Sequence, residues 1–594
     1  MGRKSWAVLL GVLSSVPIDG VSAADGDICY LSGTKSTIVN DQLYFLGGNY
    51  STLTDGGQDV NAEPSSSLYR LSLNASFPVE ESIPASLLQS TPIPSESIAY
   101  ESAADSNGYS ADGALWPFID TVYAFGGRSS LTSSTAADRI SRYDTSSNEW
   151  TDVSVTGGAL NFGRREAASF ATAPESRLGF ILGGQYPYMS GMVRFDASNP
   201  NKLSWTNETL NNGSFGEEVP NLHGAAMIYI PAGSEGMLIV FGGRNISVTL
   251  EENADPPIES DWQLIYLYDI ASHTWYSQRA SGSAPTNRVS FCAALSTAPD
   301  NTAFHITAYG GWSRRDGRSY EDVHVLSIPA FEWIDASDVA GVTNGEQDED
   351  RKIGRDALSG ACSVVGSNGA QMVVLGGDVR SGGTYVEHGA CNGSKSGDDE
   401  SEAYHPVRVL DLSSYEWRVS LDANASYEVP PVVYRDVGGN SSGSATKTIP
   451  AAGFAHPTLE SILQQRVSGS SVTTVTSSPS DNPGNTTGTS SSTNTGAIAG
   501  GVVGGVAGLA AILALVWFLL RRRKKHLQQS SPGLIAGDSA SPVADDTTFK
   551  GDQDKLKSEM PGLQGVPVAE MESPEHSMRA ELGDGGVSNR HELP

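Results

Sequence analysis

The sequence predicts an all-β fold assembled from six copies of one four-stranded unit, and three observations predict it. Diglycines close a short apolar segment six times; each is followed by a second apolar segment; and five of the six units then reach a tryptophan. Recurrence of this kind is read before any single residue, because a repeated unit sets the architecture.

The diglycines fall in LYFLGG (Gly47, Gly48), VYAFGG (Gly126, Gly127), GFILGG (Gly183, Gly184), LIVFGG (Gly242, Gly243), ITAYGG (Gly310, Gly311) and VVLGG (Gly376, Gly377), at spacings of 57 to 79 residues. Uneven spacing of a constant unit places the variation in the loops. Glycine suits the point where a strand leaves its sheet, since it tolerates dihedrals and close approaches that other residues do not. The following segments read LYRLSL, ISRYD, MVRFD, IYLYD, VHVLS and VRVLD. The tryptophans are Trp150, Trp205, Trp275, Trp333 and Trp417, and four of them stand seven residues after Tyr143, Tyr268, Leu326 and Leu410. Asp or Ser follows each of those four, a residue whose side chain bonds nearby backbone amides and so starts a tight turn. Each unit therefore reads as strand, strand ending in Gly-Gly, strand, turn, and strand carrying Trp, with the aromatic pair burying apolar area between adjacent sheets. The first unit has no such Trp, and Phe77 is its expected stand-in.

These residues resemble the Kelch repeat, whose units are the four-stranded blades of a β-propeller. The resemblance spans about 390 of the 594 residues and implies a Kelch-type all-β propeller, of six blades rather than seven. The segment YEVPPVVYRDVGG, residues 427–439, lacks the Tyr-Asp-Trp module and is expected to complete the ring by pairing with an edge strand.

The ends of the chain have a different character. Residues 1–23 have a basic start at Arg3 and Lys4, a short apolar run and small residues at Ser22 and Ala23, the pattern of a secretory signal peptide. Residues 498–520 carry no charge over 23 positions and are followed by RRRKK, which predicts one transmembrane helix with its C-terminal side cytoplasmic. Gly500, Gly504 and Gly508 would share a face of that helix and offer a route to dimerisation. The expected order is signal peptide 1–23, propeller ectodomain with closing segment 24–465, Ser/Thr-rich stalk 466–497, span 498–520 and disordered cytoplasmic tail 521–594. This order resembles that of fungal single-pass cell-surface Kelch proteins and places the protein in the cell membrane with its propeller outside.

Residues 24–497 hold 26 Lys and Arg against 55 Asp and Glu, a net charge of −29, so the acidity is that of the ectodomain and nucleic acid is excluded as a partner. Cys29, Cys292, Cys362 and Cys391 all lie in the same region, where two disulfides with three connectivities are open. Nine N-glycosylation sequons begin at Asn49, Asn74, Asn207, Asn212, Asn245, Asn392, Asn424, Asn440 and Asn485. No metal-ligand spacing and no cofactor motif is present.

In Kelch propellers the ligand site is a bowl at one end of the central channel. By resemblance, Arg165, His223, Arg288 and Arg355, each ahead of a small-residue-rich inner strand, are candidates to ring it, either receiving a carboxylate or phosphate or tying blades together. Trp312, directly after a diglycine, forms a second candidate site with Arg314 and Arg315. The function these features favour is non-catalytic recognition of an extracellular protein or glycan. The alternatives are a cell-wall or stress sensor signalling through its tail, and a carbohydrate oxidase of the galactose-oxidase type, for which no Tyr-Cys and His cluster is visible.

Overall fold

The structure, a computed structural model, describes Ser22, Ala23 and residues 27–467. It leaves out 54–58, 65–66, 80–81, 95–112, 127–138, 158–167, 185–190, 209–221, 246–259, 314, 344–345, 348–360, 378–379, 382–383 and 386–405. The expected span and tail lie outside the described residues, as does the signal peptide apart from Ser22 and Ala23, which pair with the edge of the first blade at Ser90 and Gln89. Among the described residues no helix is long and apolar enough to cross a membrane.

Six antiparallel sheets follow one another along the chain, each with its four main strands A to D in sequence order. Blade 1 comprises Lys35–Val39, Gln42–Leu46, Ser67–Ser72 and Leu88–Pro92. Blade 2 comprises Gly113–Phe118, Thr121–Gly126, Arg139–Asp144 and Glu149–Ser154. Blade 3 comprises Ser169–Ala173, Leu178–Leu182, Met192–Asp196 and Ser204–Asn207. Blade 4 comprises Ala226–Ile230, Met237–Phe241, Leu264–Asp269 and Thr274–Arg279. Blade 5 comprises Cys292–Thr297, Phe304–Tyr309, Val323–Ile328 and Glu332–Asp335. Blade 6 comprises Ala361–Val365, Gln371–Leu375, Val407–Asp411 and Glu416–Arg418. Each A strand touches the A strand of the next blade, and that of blade 6 touches that of blade 1, so the six close into a ring.

The seven-residue step has a simple geometric cause. Tyr143, Tyr268, Leu326 and Leu410 on the C strands pair directly across the sheet with Trp150, Trp275, Trp333 and Trp417 on the D strands. The hairpin between them turns through a residue in the left-handed region five positions after the first partner, at Asn148, His273, Phe331 and Tyr415. The Asp that opens three of these turns holds it: Asp144 accepts from the amides of Ser146 and Ser147, Asp269 from Ser272, and Asp411 from Ser413 and Ser414. In blade 3 the turn is longer, and Phe195 pairs with Trp205.

Buried side chains gather into six apolar clusters, each lying between two neighbouring blades, including one between blades 6 and 1. The ring is thus held by sheet-on-sheet packing at every interface between neighbouring blades. At two of these interfaces the hydroxyl of a C-strand tyrosine is satisfied as well. The Tyr143 hydroxyl donates to Asn148 Oδ1 at 2.9 Å and bonds with Thr91 of blade 1 at 3.2 Å. The Tyr268 hydroxyl donates to Glu208 of blade 3 at 3.0 Å, and Arg194 pairs with the other oxygen of that buried carboxylate at 3.0 Å.

Two expectations about closure are corrected. Phe77 does not occupy the place of the missing tryptophan: Leu88 pairs with Leu71 across blade 1, while Phe77 sits on a two-residue strand paired with Leu421 beyond blade 6. The reason is the 16-residue connection between Leu71 and Leu88, which is long enough to reach the neighbouring blade. Residues 427–439 do not complete the ring by pairing along an edge strand either. Prolines at 430 and 431 start helix α1, Pro431–Val437, whose Val433 and Val437 enter the cluster between blades 5 and 6. A second helix, α2, Pro457–Gln464, buries Leu459, Ile462 and Leu463 in the cluster between blades 4 and 5.

Candidate binding face

Because consecutive strands of a blade are antiparallel, the A–B and C–D turns, short except for the C–D connection of blade 1, fall at one end of the ring and the long B–C and D–A connections at the other. The diglycines mark the second end, here the loop face; the first is the turn face. Residues 422–467 run as a strap across the turn face of blades 6, 5 and 4. The Tyr427 amide donates to Ser367 in the A–B turn of blade 6, and the Ser444 amide donates to Asp300 in that of blade 5. Arg466 donates to the Asn301 carbonyl at 2.8 Å and bridges to Ala232 in the A–B turn of blade 4. Lys447 pairs with Glu332 at 2.9 Å beside the C–D turn of blade 5. The packed strap thus extends to Val467, two residues past the expected edge of the ectodomain.

On the loop face, the connections after the diglycines of blades 5 and 6 join into one small sheet, with Trp312 paired to Ser319 and Arg318 to Ser381. At its base stands Arg288, 1% exposed. Its guanidinium is fully engaged: it donates to the Thr286 and Gly310 carbonyls at 2.9 and 3.2 Å, and forms a two-pronged pair with Asp322, one arm at 2.8 Å. Burial works against the Asp322 carboxylate, but the hydrogen bonds from Arg288 and His324 outweigh it and hold its pKa well below the usual range. His324 bonds Asp322 through Nε2 and the Ser283 carbonyl through Nδ1, at 3.2 and 3.0 Å. Arg288 therefore clasps the top of strand B to the top of strand C within blade 5.

Above it, Tyr320 is buried between two guanidinium groups, with Arg288 3.8 Å from its ring centroid and Arg318 4.5 Å from it. Its hydroxyl donates to Asp316 in the same hairpin. Arg315 and Arg318 are exposed and Trp312 is half-buried, its amide and carbonyl both bonded to Val289 at 2.9 Å. The hairpin thus presents exposed cations on a rigid aromatic base.

Among the sequence candidates, Arg165, Arg314 and Arg355 lie outside the described residues. His223 is half-buried and pairs with Arg244 in a two-stranded ribbon at the start of blade 4. Of the expected structural residues, Trp205, Trp275 and Trp333 are buried, Trp150 and Trp417 are half-buried, and Gly127 lies outside the described residues. Asn74, Asn207, Asn424 and Asn440 are exposed; Asn212, Asn392 and Asn485 lie outside the described residues. Cys292 and Cys362 form a disulfide between the A strands of blades 5 and 6, and Cys29 is disulfide-bonded too. Sequence reasoning missed Tyr320, Asp322 and Arg318, although the run WSRRDGRSYED carries all three within eleven residues. Among the described residues no group of three His, Cys, Asp or Glu side chains is placed to hold a metal ion.

Residues 114–377, from blade 2 into blade 6, match the family model described as the KLHDC2/KLHL20/DRC7 Kelch-repeats domain. Over these residues the chain is similar to the Kelch-repeat family. A Kelch repeat-containing protein of Arthroderma benhamiae is 26% identical over 485 residues, which is 72% of this chain and 65% of that relative. A solved structure titled Structure of YjhT is 12% identical, with a TM-score of 0.38, and the match covers 66% of this chain and 97% of that one. The Kelch propeller has six blades, as the six diglycine units imply.

Proposed function

We propose that the Kelch propeller is the recognition module of a single-pass cell-surface glycoprotein, a non-catalytic domain that takes a protein or glycan ligand on its loop face. The strap carries this reading: it occupies the turn face over blades 4, 5 and 6 and brings the outgoing chain to that side, at Val467 beside Pro231. The long B–C and D–A connections, where a propeller varies most and binding residues concentrate, are at the opposite end. The signal peptide, the sequons and the apolar run 498–520 support the export and anchoring of the module. A protein ligand is favoured, because the exposed arginines of the blade 5 hairpin stand out in a region, residues 24–497, whose net charge is −29, and would select an acidic partner. Secreted residues 24–467, applied to arrays of surface proteins, glycans and wall polysaccharides, test the reading. Saturable binding to one of these supports it, and turnover of an arrayed sugar with production of peroxide overturns it in favour of an oxidase.

A further inference from the structure

The strap holds a buried ionisable group at its first anchor. His305, the second residue of strand B of blade 5, is 1% exposed, and a hydrogen bond of 2.9 Å joins its Nδ1 to the hydroxyl of Tyr427 in the strap, 122 residues away. Among the described residues, its Nε2 has no partner. The residues paired with it across the sheet, Ser296 and Ser327, are uncharged. The nearby C–D turn of blade 6 offers Tyr415, whose hydroxyl bonds with Thr307 at 3.3 Å. Among the described residues the one charged group that acts on His305 is Asp300, five residues earlier in the A–B turn, which also receives the Ser444 amide and so anchors the strap a second time. A proton arriving at His305 would place a cation in a site closed to solvent, against the side chain of Tyr427, with the Asp300 carboxylate as its counter-charge.

We propose that residues 422–467 form an acid-released latch, in which protonation of His305 expels Tyr427 and frees the strap from the turn face while the ring of blades stays closed. At neutral pH the latch fixes the propeller against the point where the chain leaves it. On acidification the propeller swings free on a tether lengthened by the strap. The thermodynamic direction follows from burial, which pushes the His305 imidazole down to about 4, with the Asp300 charge opposing. A group whose folded-state pKa lies below its ordinary value stabilises the folded contact fully above about 6.5, and loses that contribution as pH falls from about 6.5 toward the folded value. Asp300 acts in the same sense at lower pH. Burial opposes its charge, but the hydrogen bonds from Thr302 and Ser444 prevail and lower its pKa, so its hold on the strap is lost only in stronger acid.

Hydrogen exchange of the full chain at pH 7 and pH 4.5, corrected for intrinsic rates, tests the latch. The amides of α1 and α2 are expected to open on the order of 10- to 100-fold more readily at pH 4.5, while those of Met237–Phe241 keep their protection. His305→Gln is expected to remove most of this difference. Equal protection of the strap at both pH values, or the same release in His305→Gln, would overturn the proposal. If His305→Gln does not fold, the wild-type pH profile decides alone. A strap transition between pH 4 and 6.5 that precedes loss of the blades supports the latch, and simultaneous loss of strap and blades contradicts it.

Discussion

The hydroxyls of Ser36 and Ser363 meet at 2.8 Å, although 327 residues separate them in sequence. They stand on the innermost strands of blades 1 and 6, so this one hydrogen bond spans the seam at which the ring closes. The seam is reinforced beyond it. Leu421 pairs with Phe77 and is buried in the cluster between the two blades, and the Gly377 amide donates to the Leu31 carbonyl at 3.2 Å. Leu421→Ala is expected to destabilise the propeller by about 2–4 kcal/mol, because the cavity lies in the interface that closes the circle. Urea denaturation checks it, and a change below about 0.5 kcal/mol would mean that the seam carries no share of the stability.

The tryptophans should not be equivalent. Trp275 is 6% exposed and packs against Tyr268 with ring centroids 5.1 Å apart, whereas Trp150 is half-buried. Trp275→Ala is expected to cost about 3–5 kcal/mol and Trp150→Ala clearly less, since less apolar surface is lost. Equal losses in denaturation experiments would contradict the packing described for blades 3 and 4.

The disulfide between Cys292 and Cys362 spans 70 residues and ties blade 5 to blade 6. Replacing both cysteines by alanine removes a constraint on the unfolded chain worth about 4 kcal/mol for a loop of this length. Thermal unfolding of the double variant should therefore begin well below that of the parent. An unchanged transition would show that the cross-link adds nothing to closure.

Asp322 gives a prediction with a sign in pH. Its pKa is depressed in the folded protein, so its contribution to stability is present above the ordinary carboxylate value of about 4 and is lost as pH falls below it. Asp322→Asn leaves the Arg288 charge buried without a counter-charge, a change that costs about 3–5 kcal/mol near neutrality. The gap between parent and variant should narrow as pH drops below about 4. A gap independent of pH would remove the ion pair from the account of blade 5.

Much of this architecture was legible because it repeats. The step from Tyr143 to Trp150 is a direct cross-strand pair joined by a turn of fixed conformation, so periodicity alone located the hairpins, the six units and the interfaces that they bury. Closure was not legible, since it depends on single long-range contacts such as Leu421 on Phe77, which no local pattern announces. The strap was misread for a related reason: Pro430 and Pro431 fit either an edge strand or a helix start, and only Val433 and Val437 finding the cluster between blades 5 and 6 decides for the helix. Arg288 illustrates the limit for sites. Its position before an inner strand was visible in the sequence, but the partner that engages it, Asp322, lies 34 residues on, at the far side of the blade 5 hairpin.

The central claim is that recognition takes place on the loop face, and steric blocking with added N-glycans tests it most directly. Asp316→Asn combined with Arg318→Ser introduces a sequon in the blade 5 hairpin on the loop face, and Thr145→Asn introduces one in the C–D turn of blade 2 on the uncovered part of the turn face. Both glycosylated forms and the parent are measured against the same arrayed surface proteins and glycans. The account predicts that the hairpin glycan weakens binding at least about tenfold while the blade 2 glycan leaves it unchanged, as expected when bulk is placed inside or outside a contact surface. Loss of binding with the blade 2 glycan, and full binding with the hairpin glycan, would contradict it.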